Sequence, residues 1–173
     1  QISLKHTPND FNIHAQSYSP PTDKNVLLLV PCSQKKPYSK SRTHSVLYNK
    51  LGDRTEDVYK VTISGMYGPV PEDYEQEQPI LEYDYVLAKE DTNQIELITD
   101  RIHQYLEAYG DQFDNVAGYV TSNTYRTVIE DAFDAYGRGT VYPTDPQALQ
   151  LTEFFRNTNI QELIDFLDAS EVE

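Results

Sequence analysis

The fold is decided by Val26-Leu27-Leu28-Leu29-Val30, which runs directly into Pro31-Cys32-Ser33-Gln34-Lys35-Lys36-Pro37-Tyr38-Ser39-Lys40-Ser41-Arg42-Thr43-His44. The first five residues are all apolar, and this lack of alternation predicts a strand that is buried on both faces. Such strands are typical of parallel sheets that are covered by helices. The segment that follows is the densest polar stretch of the chain and holds its one cysteine.

Strands and helices alternate along the rest of the chain. Further strands are predicted at residues 58–63, 83–88, 116–120 and, as a short last strand, 140–142; helices are predicted at about 41–51, 93–109, 122–136, 146–156 and 159–169. Residues 65–79 contain two Gly and three Pro, which favours a loop without regular structure. We therefore predict an α/β protein with an N-terminal arm (1–24) and a single domain (25–173). In that domain a mainly parallel four-stranded sheet lies between two helix layers.

The composition limits the possible partners. The chain has 14 Lys and Arg against 28 Asp and Glu, a formal charge of −14. Because affinity for phosphates comes from Lys and Arg, this balance argues against a general nucleic-acid-binding protein. The acidic residues are scattered, which fits a solvated surface, and halophilic adaptation is one explanation because high salt screens their repulsion.

Cellular location is constrained in the same way. No apolar run approaches the roughly 20 residues of a membrane span, and no cationic stretch precedes an apolar segment as in a signal peptide. A single cysteine excludes an internal disulfide and fits a reducing compartment. We therefore expect a cytoplasmic protein. The chain begins at Gln1 rather than Met, so an excised domain and a standalone relative both remain open.

The carboxyl ends of the strands are where an open α/β sheet binds its ligands. This rule points to the residues after Val30, Ile63 and Val120. Cys32 follows the first strand, and the cations Lys35 and Lys36 together with a helix start favour a thiolate. Serines near a helix start could hold an anion such as phosphate. Purely structural roles are the alternatives: the thiol of Cys32 could fill the core, and His44 could cap a helix.

The segment resembles a known family. The spacing Pro-Cys, three residues, Lys-Pro-Tyr, two residues, Ser, two residues, His is similar to the signature of archaeosine synthases, and the matching positions are Pro31, Cys32, Lys36, Pro37, Tyr38, Ser41 and His44. A looser match follows the next strand, at Ser64, Gly68, Pro69, Val70, Pro71, Glu72, Glu75, Pro79, Tyr83 and Asp84. Together the two segments span residues 26–88.

The resemblance implies both a fold and a reaction. The family resembles archaeal tRNA-guanine transglycosylase and acts on 7-cyano-7-deazaguanine in the D-loop of tRNA. It adds nitrogen to the nitrile from an amine donor such as lysine or glutamine, in some systems with a radical-SAM partner. The related domain is described as similar to uracil-DNA glycosylase in fold. The water-activating Asp of that glycosylase has no counterpart in residues 31–44, so glycosylase activity is not expected.

The resemblance also implies a set of site residues. We expect catalytic roles for Cys32 as a nucleophile, and for Lys36 and His44 in charge stabilisation or proton transfer. The residues expected to bind the substrate are Ser33, Tyr38, Ser39, Ser41, Tyr67, Gly68 and Ser122. Four histidines and one cysteine show no metal-ligand spacing, so no metal site and no cofactor are expected.

A second interpretation remains open. The domain could be a non-catalytic module that binds tRNA or a partner enzyme of the radical-SAM or transglycosylase type. The chain has no room for a transglycosylase-like barrel, which needs about 200 residues or more, and no RNA-binding PUA domain is evident. In either case we expect this domain alone to bind tRNA weakly and to make no membrane contact.

Overall fold

The computed structural model describes residues 11–13, 17–32, 41–76, 80, 87–142, 144 and 156–172. Five strands in this part of the chain form one sheet: β1 (Val26–Pro31), β2 (Val58–Ser64), β3 (Gly68–Pro71), β4 (Asn115–Tyr119) and β5 (Thr140–Tyr142). Their spatial order is β3-β2-β1-β4-β5. All neighbouring pairs are parallel except β2 with β3, which are antiparallel.

Four helices cover the two faces of this sheet: α1 (Arg42–Leu51), α2 (Thr92–Tyr109), α3 (Asn123–Tyr136) and α4 (Asn157–Val172). Helices α1 and α4 pack with Val26, Leu28 and Val30 on one face. Helices α2 and α3 pack with Leu27 and Leu29 on the other face. The uninterrupted apolar run of β1 thus supplies both halves of the core, since successive side chains of a strand point to opposite faces.

The predicted α/β fold with a mainly parallel sheet between helices is confirmed. A four-stranded sheet was predicted, and the sheet in the described residues has five strands. The additional strand is β3, which lies inside the segment predicted to lack regular structure; a 3-10 turn over Glu72–Tyr74 follows it. Its sequence, Gly-Pro-Val-Pro, is untypical of strands, but an edge strand tolerates proline because one row of its N–H groups has no ladder partner.

Other predictions fall partly or wholly on residues that the structure does not describe. Of the strand predicted at 83–88, only residues 87 and 88 are described, and they are not in a strand. The helix predicted at 146–156 lies almost wholly outside the described residues. The likeness to uracil-DNA glycosylase and the division at residue 24 stay predictions.

The described part of the N-terminal arm packs against the sheet. Phe11 and Ile13 are 4% and 1% exposed and belong to the core on the α2 and α3 face. The Tyr18 hydroxyl makes hydrogen bonds to the hydroxyls of Tyr59 and Tyr105, at 3.0 and 2.7 Å. These contacts fasten the arm to β2 and α2.

Candidate functional site at the carboxyl edge of the sheet

Cys32 lies at the carboxyl edge of the sheet, directly after β1. Its backbone N–H donates to the Ile63 carbonyl at 3.1 Å, so the ends of β1 and β2 stay paired beyond the last residue of β1. After β1 the chain runs to α1, on one face of the sheet. After β4, which pairs with β1 on the side away from β2, the chain runs to α3, on the opposite face. In open α/β sheets ligands bind in the crevice that such a divergence opens. Cys32 therefore lies at the position where this rule places a ligand.

The Cys32 thiol contacts a tyrosine from α3. Cys32 is half-buried, and its Sγ lies 3.2 Å from the hydroxyl of Tyr125, which is 5% exposed. The Tyr125 hydroxyl accepts a hydrogen bond from the Leu87 N–H at 2.9 Å. A hydroxyl that accepts in this way can still donate its own hydrogen. Tyr125 is thus able to donate to the Cys32 sulfur.

His44 projects from the first turn of α1 and is 2% exposed. Its Nε2 lies 3.0 Å from the Pro31 carbonyl oxygen, and its Nδ1 lies 2.8 Å from Nζ of Lys60. A carbonyl can only accept, so Nε2 carries the hydrogen. Burial, together with the positive charge of Lys60, lowers the pKa of His44 to about 3, although the hydrogen bond to Pro31 opposes this shift. His44 is therefore a neutral imidazole at pH 7.

Lys60 and Glu75 form a buried ion pair behind His44. Their side chains are 2% and 3% exposed, and Lys60 Nζ lies 3.1 Å from Glu75 Oε2. Burial lowers the pKa of Lys60, and the Glu75 carboxylate opposes that shift. The backbone N–H of Lys60 donates to Glu72 Oε2 at 2.8 Å. Burial raises the pKa of Glu72, against the opposing effect of this hydrogen bond.

The second predicted loop starts at the same edge of the sheet. Ser64 Oγ accepts hydrogen bonds from the N–H groups of Met66 and Tyr67, both at 3.1 Å. Gln94 Nε2 donates to the carbonyls of Gly65 and Met66, at 2.8 and 3.1 Å. Because β1 and β2 are parallel neighbours, the described ends of the two predicted loops meet at one edge, as expected.

Tyr67 and Gly68 have structural surroundings. Tyr67 is 1% exposed and packs edge to face against Phe11, with ring centroids 6.1 Å apart. Its carbonyl accepts a hydrogen bond from Arg101 Nη1 at 2.8 Å. Gly68 begins β3 with a φ of 84°. The expected contact of Tyr67 with a base is not favoured, because its ring would have to leave the core.

The two helix-start serines differ in what their hydroxyls do. Ser41 is 3% exposed, and its Oγ caps α1 by accepting from the His44 N–H at 3.3 Å. Ser122 occupies the same position before α3 but is half-buried and makes no side-chain capping bond to that helix. Ser41 thus uses its hydroxyl inside the fold, whereas the binding role of Ser122 stays a prediction. Four further predicted site residues, Ser33, Lys36, Tyr38 and Ser39, lie outside the described residues.

Lys60 and Tyr125 were not predicted from the sequence as site residues. A signal for Lys60 exists: it is the one cation in the strand Val-Tyr-Lys-Val-Thr-Ile-Ser. A lysine inside a strand that is buried on both faces needs a polar partner. Tyr125 is buried on the same side of α3 as Val128 and Ile129, and its hydroxyl contact with Cys32 depends on the packing of α3 beside β1, which no local pattern reveals.

A small cavity of about 40 Å³ lies at the opposite end of the sheet, lined by residues such as Asn25, Arg54 and Asn115. It is therefore separate from the edge that carries Cys32. No group of three or more His, Cys, Asp or Glu side chains in the described ranges could hold a metal ion. A search of the same residues finds no helix with the length and apolar character needed to cross a membrane.

Comparisons with known proteins agree with the resemblance. Residues 10–157 match a family described as a domain of unknown function, DUF5591. The archaeosine synthase subunit alpha of Methanosarcina acetivorans is 27% identical over 157 residues, which are 90% of this chain and 24% of that protein. The protein of the same name from Thermococcus kodakarensis is 29% identical over 159 residues, 84% of this chain and 27% of that protein. The chain thus spans about a quarter of the length of these curated relatives.

A solved structure supports the fold. The crystal structure of AF0587, described as a protein of unknown function, superposes with a TM-score of 0.63 at 24% identity. The match covers 83% of this chain and 44% of that protein. At this level of identity the likeness concerns the fold alone.

Proposed function

Because this chain belongs to the DUF5591 family and is related to the archaeosine synthases, we propose that it is a tRNA-modification domain acting in archaeosine formation. Its substrate is 7-cyano-7-deazaguanine in tRNA, and its reaction adds an amine to the nitrile carbon. The names of the relatives support the pathway, and the polar carboxyl edge of the sheet supports a role in the chemistry.

One observation carries the catalytic part of the proposal: the thiol of Cys32 stands at the divergence of β1 and β4, hydrogen-bonded to Tyr125 at 3.2 Å. A nitrile carbon is electrophilic, and a thiolate is the nucleophilic form of cysteine. The Tyr125 hydroxyl is a hydrogen-bond donor within reach of the sulfur at this point. Position, nucleophile and stabilising donor thus coincide at one edge.

The reaction proceeds in two additions. The Cys32 thiolate forms a C–S bond to the nitrile carbon, one C–N π bond opens, and the nitrogen takes up a proton to give a thioimidate. The amine donor then adds to the same carbon through its lone pair. The C–S bond breaks, the thiolate leaves, and the amine nitrogen loses a proton. The product is an amidine, and Cys32 is regenerated without any oxidant or reductant.

The roles of the neighbouring residues are proposed from the sequence motif and, where the structure describes them, from their contacts. We propose that Lys36 supplies charge or a proton to the nitrile nitrogen, with Tyr38, Ser33 and Ser39 contacting the base. Ser122 is proposed to bind the substrate through its hydroxyl. The predicted proton-transfer role of His44 is replaced by a positioning role, because both ring nitrogens have protein partners and burial keeps the imidazole neutral.

Other parts of the machinery must recognise the tRNA. A domain with a formal charge of −14 attracts polyanions poorly, because phosphate contacts rely on Lys and Arg. Relatives named subunit alpha belong to assemblies with more than one subunit. We propose that tRNA affinity comes from other domains or from a partner protein, for which a radical-SAM or transglycosylase-type enzyme is the expected class.

Turnover tests the proposal. The full-length protein that contains this domain is incubated with tRNA carrying 7-cyano-7-deazaguanine and with lysine or glutamine, and the modified nucleosides are measured by mass spectrometry. Cys32→Ala and the nearly isosteric Cys32→Ser should both lower turnover by about a thousandfold or more, while the melting temperature stays near that of the parent. Near-normal turnover in both variants would make this thiol a packing group and leave a non-catalytic binding module as the interpretation.

A further inference from the structure

Lys60 is a buried cation whose contacts the proposed reaction does not use. It lies in β2, on the face that packs against α1, and its Nζ is 2.8 Å from His44 Nδ1. The same nitrogen is 3.1 Å from Glu75 Oε2 and 5.3 Å from the centre of the Tyr48 ring. Burying a charge in this way costs several kcal/mol before its partners compensate. Such a group is retained where it fixes an arrangement that an apolar residue would leave open.

Lys60, together with the Pro31 carbonyl, fixes the tautomer of His44. A neutral imidazole carries its hydrogen on one nitrogen and accepts on the other. Paired with the Glu75 carboxylate as an ammonium, Lys60 Nζ has only N–H groups, so it donates to Nδ1. The hydrogen of the ring is then on Nε2, where it is donated to the Pro31 carbonyl at 3.0 Å.

That hydrogen bond acts on the peptide group that precedes the thiol. The Pro31 carbonyl and the Cys32 N–H belong to the same peptide plane. One end of the plane is held by His44, and the other end donates to the Ile63 carbonyl at 3.1 Å. Two hydrogen bonds at opposite ends fix the rotation of the plane and hence the direction in which Cys32 leaves the strand.

From these contacts we infer that Lys60 is a positioning residue: through His44 it sets the Pro31–Cys32 peptide and so holds the thiol in hydrogen-bonding distance of Tyr125. The inference rests on the proposed function in giving that thiol a catalytic task. The geometry itself is independent of the substrate. Glu75 compensates the charge of Lys60, and the effect of Lys60 reaches the Pro31–Cys32 peptide through His44.

The test removes the donor without leaving a buried charge. Lys60→Met alone would strand the Glu75 carboxylate and could prevent folding, so the main variant is Lys60→Met combined with Glu75→Gln. Glu75→Gln alone is the matched control, because it keeps the Lys60 N–H that faces His44 and an amide oxygen that can accept from Nζ; it also leaves the buried ammonium without its carboxylate, so its melting temperature is measured alongside. Thr62→Val is a second control: it changes a buried polar side chain two residues along the same face of β2, and its Oγ1 makes no hydrogen bond within the described residues.

Two measurements are made on each variant. The nitrogen-15 resonances of His44 report the tautomer, and the rate of Cys32 alkylation by iodoacetamide at fixed pH reports the thiol. In the double variant His44 should lose its exclusive Nε2–H tautomer, and alkylation should slow by about threefold to tenfold, the effect of a small misplacement. Both controls should keep the parental tautomer and alkylation rate.

Each other outcome counts against the inference. An unchanged tautomer in the folded double variant would show that Lys60 does not set it. A changed tautomer with an unchanged or faster alkylation would show that His44 does not position the thiol. Iodoacetamide contains no nitrile and needs no tRNA, so the inference can hold even if the proposed reaction fails, and the two failures remain distinguishable.

Discussion

At the scale of single residues, the contacts of Cys32 support its proposed role as a nucleophile. The sequence placed this cysteine between a buried strand and a helix start, which fits both interpretations. The structure adds the Tyr125 hydroxyl at 3.2 Å and the buried contacts behind Pro31. The Tyr125 contact could not be predicted, because Tyr125 is distant in sequence and reaches Cys32 only through packing. His44 was named from the sequence, but its hydrogen bond to the Pro31 carbonyl was not predicted.

Tyr125→Phe tests the hydrogen bond to the thiol. The variant removes the donor to Cys32 and also leaves the Leu87 N–H without its acceptor. We expect Cys32 alkylation at pH 7 to slow by about threefold or more, because a charge-assisted hydrogen bond contributes about 1.5–3 kcal/mol to the anion it holds. The free energy of unfolding should fall by about 1–3 kcal/mol for the unsatisfied N–H.

Tyr105→Phe is the control for this prediction. It removes another buried tyrosine hydroxyl, one that bonds to Tyr18 at 2.7 Å and lies away from the thiol. Its alkylation rate should match that of the parent. A slowing in Tyr105→Phe equal to that in Tyr125→Phe would attribute the effect to general loosening of the core.

The imidazole of His44 predicts a pH dependence of stability. Its pKa falls from 6.5 to about 3 on folding, because of burial and then of the Lys60 charge. A pKa lowered on folding gives a stabilisation that is complete above pH 6.5 and is lost as the pH falls toward 3. Lowering the pH from 7 to 5 should therefore reduce the free energy of unfolding by about 2 kcal/mol through this group.

Urea unfolding of the parent and of His44→Gln at several pH values measures this loss. Both proteins have the same carboxylates, so the difference between their pH profiles isolates the imidazole. The parent should lose stability more steeply than His44→Gln from pH 7 to pH 5. Parallel profiles would mean that His44 is not held neutral by the fold.

At the scale of elements, local patterns predicted most helices and the inner strands well. The apolar spacing of α2 and the glycine after α3 mark those helices directly, and Ile98, Ile102, Tyr105 and Leu106 are all buried as expected. The strand β3 was not predicted because three of its four residues are Gly or Pro, which are depleted in strands. It forms through its antiparallel pairing with β2, which is a tertiary effect.

Two glycines allow the start of β3 to be tested. Gly68 has a φ of 84°, and a Cβ there would lie 3.1 Å from Cβ of Arg101; Gly137 has a φ of 93° and open space around it. Gly137→Ala should cost about 1–2 kcal/mol for the left-handed backbone alone. Gly68→Ala should cost more, because contact with Arg101 adds to the same strain. Urea unfolding of both variants gives the comparison, and equal costs would argue against the close packing of β3 on α2.

At the scale of the whole molecule, the charge of −14 predicts a dependence on salt. Self-repulsion among the acidic groups destabilises the compact state, and salt at about 1 M shortens the screening length to about 3 Å. The melting temperature should therefore be higher in molar KCl than in dilute buffer. Sodium perchlorate at matched ionic strength separates screening from salting-out, because only screening is common to both salts. Equal melting temperatures in dilute buffer and KCl would leave the acidity unexplained by halophilic adaptation.

The whole fold also explains how far sequence reasoning could reach the site. The alternation of strands and helices predicted the parallel sheet. The parallel sheet in turn predicted the edge at which Cys32 and Ser64 lie together. The strand order that places β1 beside β4, and so brings α3 to the thiol, is a property of the complete topology. For that reason Cys32 could be named in advance, whereas Tyr125 could not. Lys60 carries a local signal, but its contact with His44 depends on the packing of α1 on β2.

The central claim is that Cys32 attacks the nitrile, and intact-mass analysis tests it most directly. The chain is incubated with free 7-cyano-7-deazaguanine without an amine donor, and the peptide that contains Cys32 is sequenced by mass spectrometry. The account predicts an adduct equal to the full mass of the base, since the thioimidate forms by addition. It should be located on Cys32, absent from Cys32→Ser and removed when an amine is supplied. Covalent catalysis would be contradicted by one result. The folded chain would be alkylated at Cys32 by iodoacetamide, yet it would form no adduct with the nitrile under any condition that supports turnover.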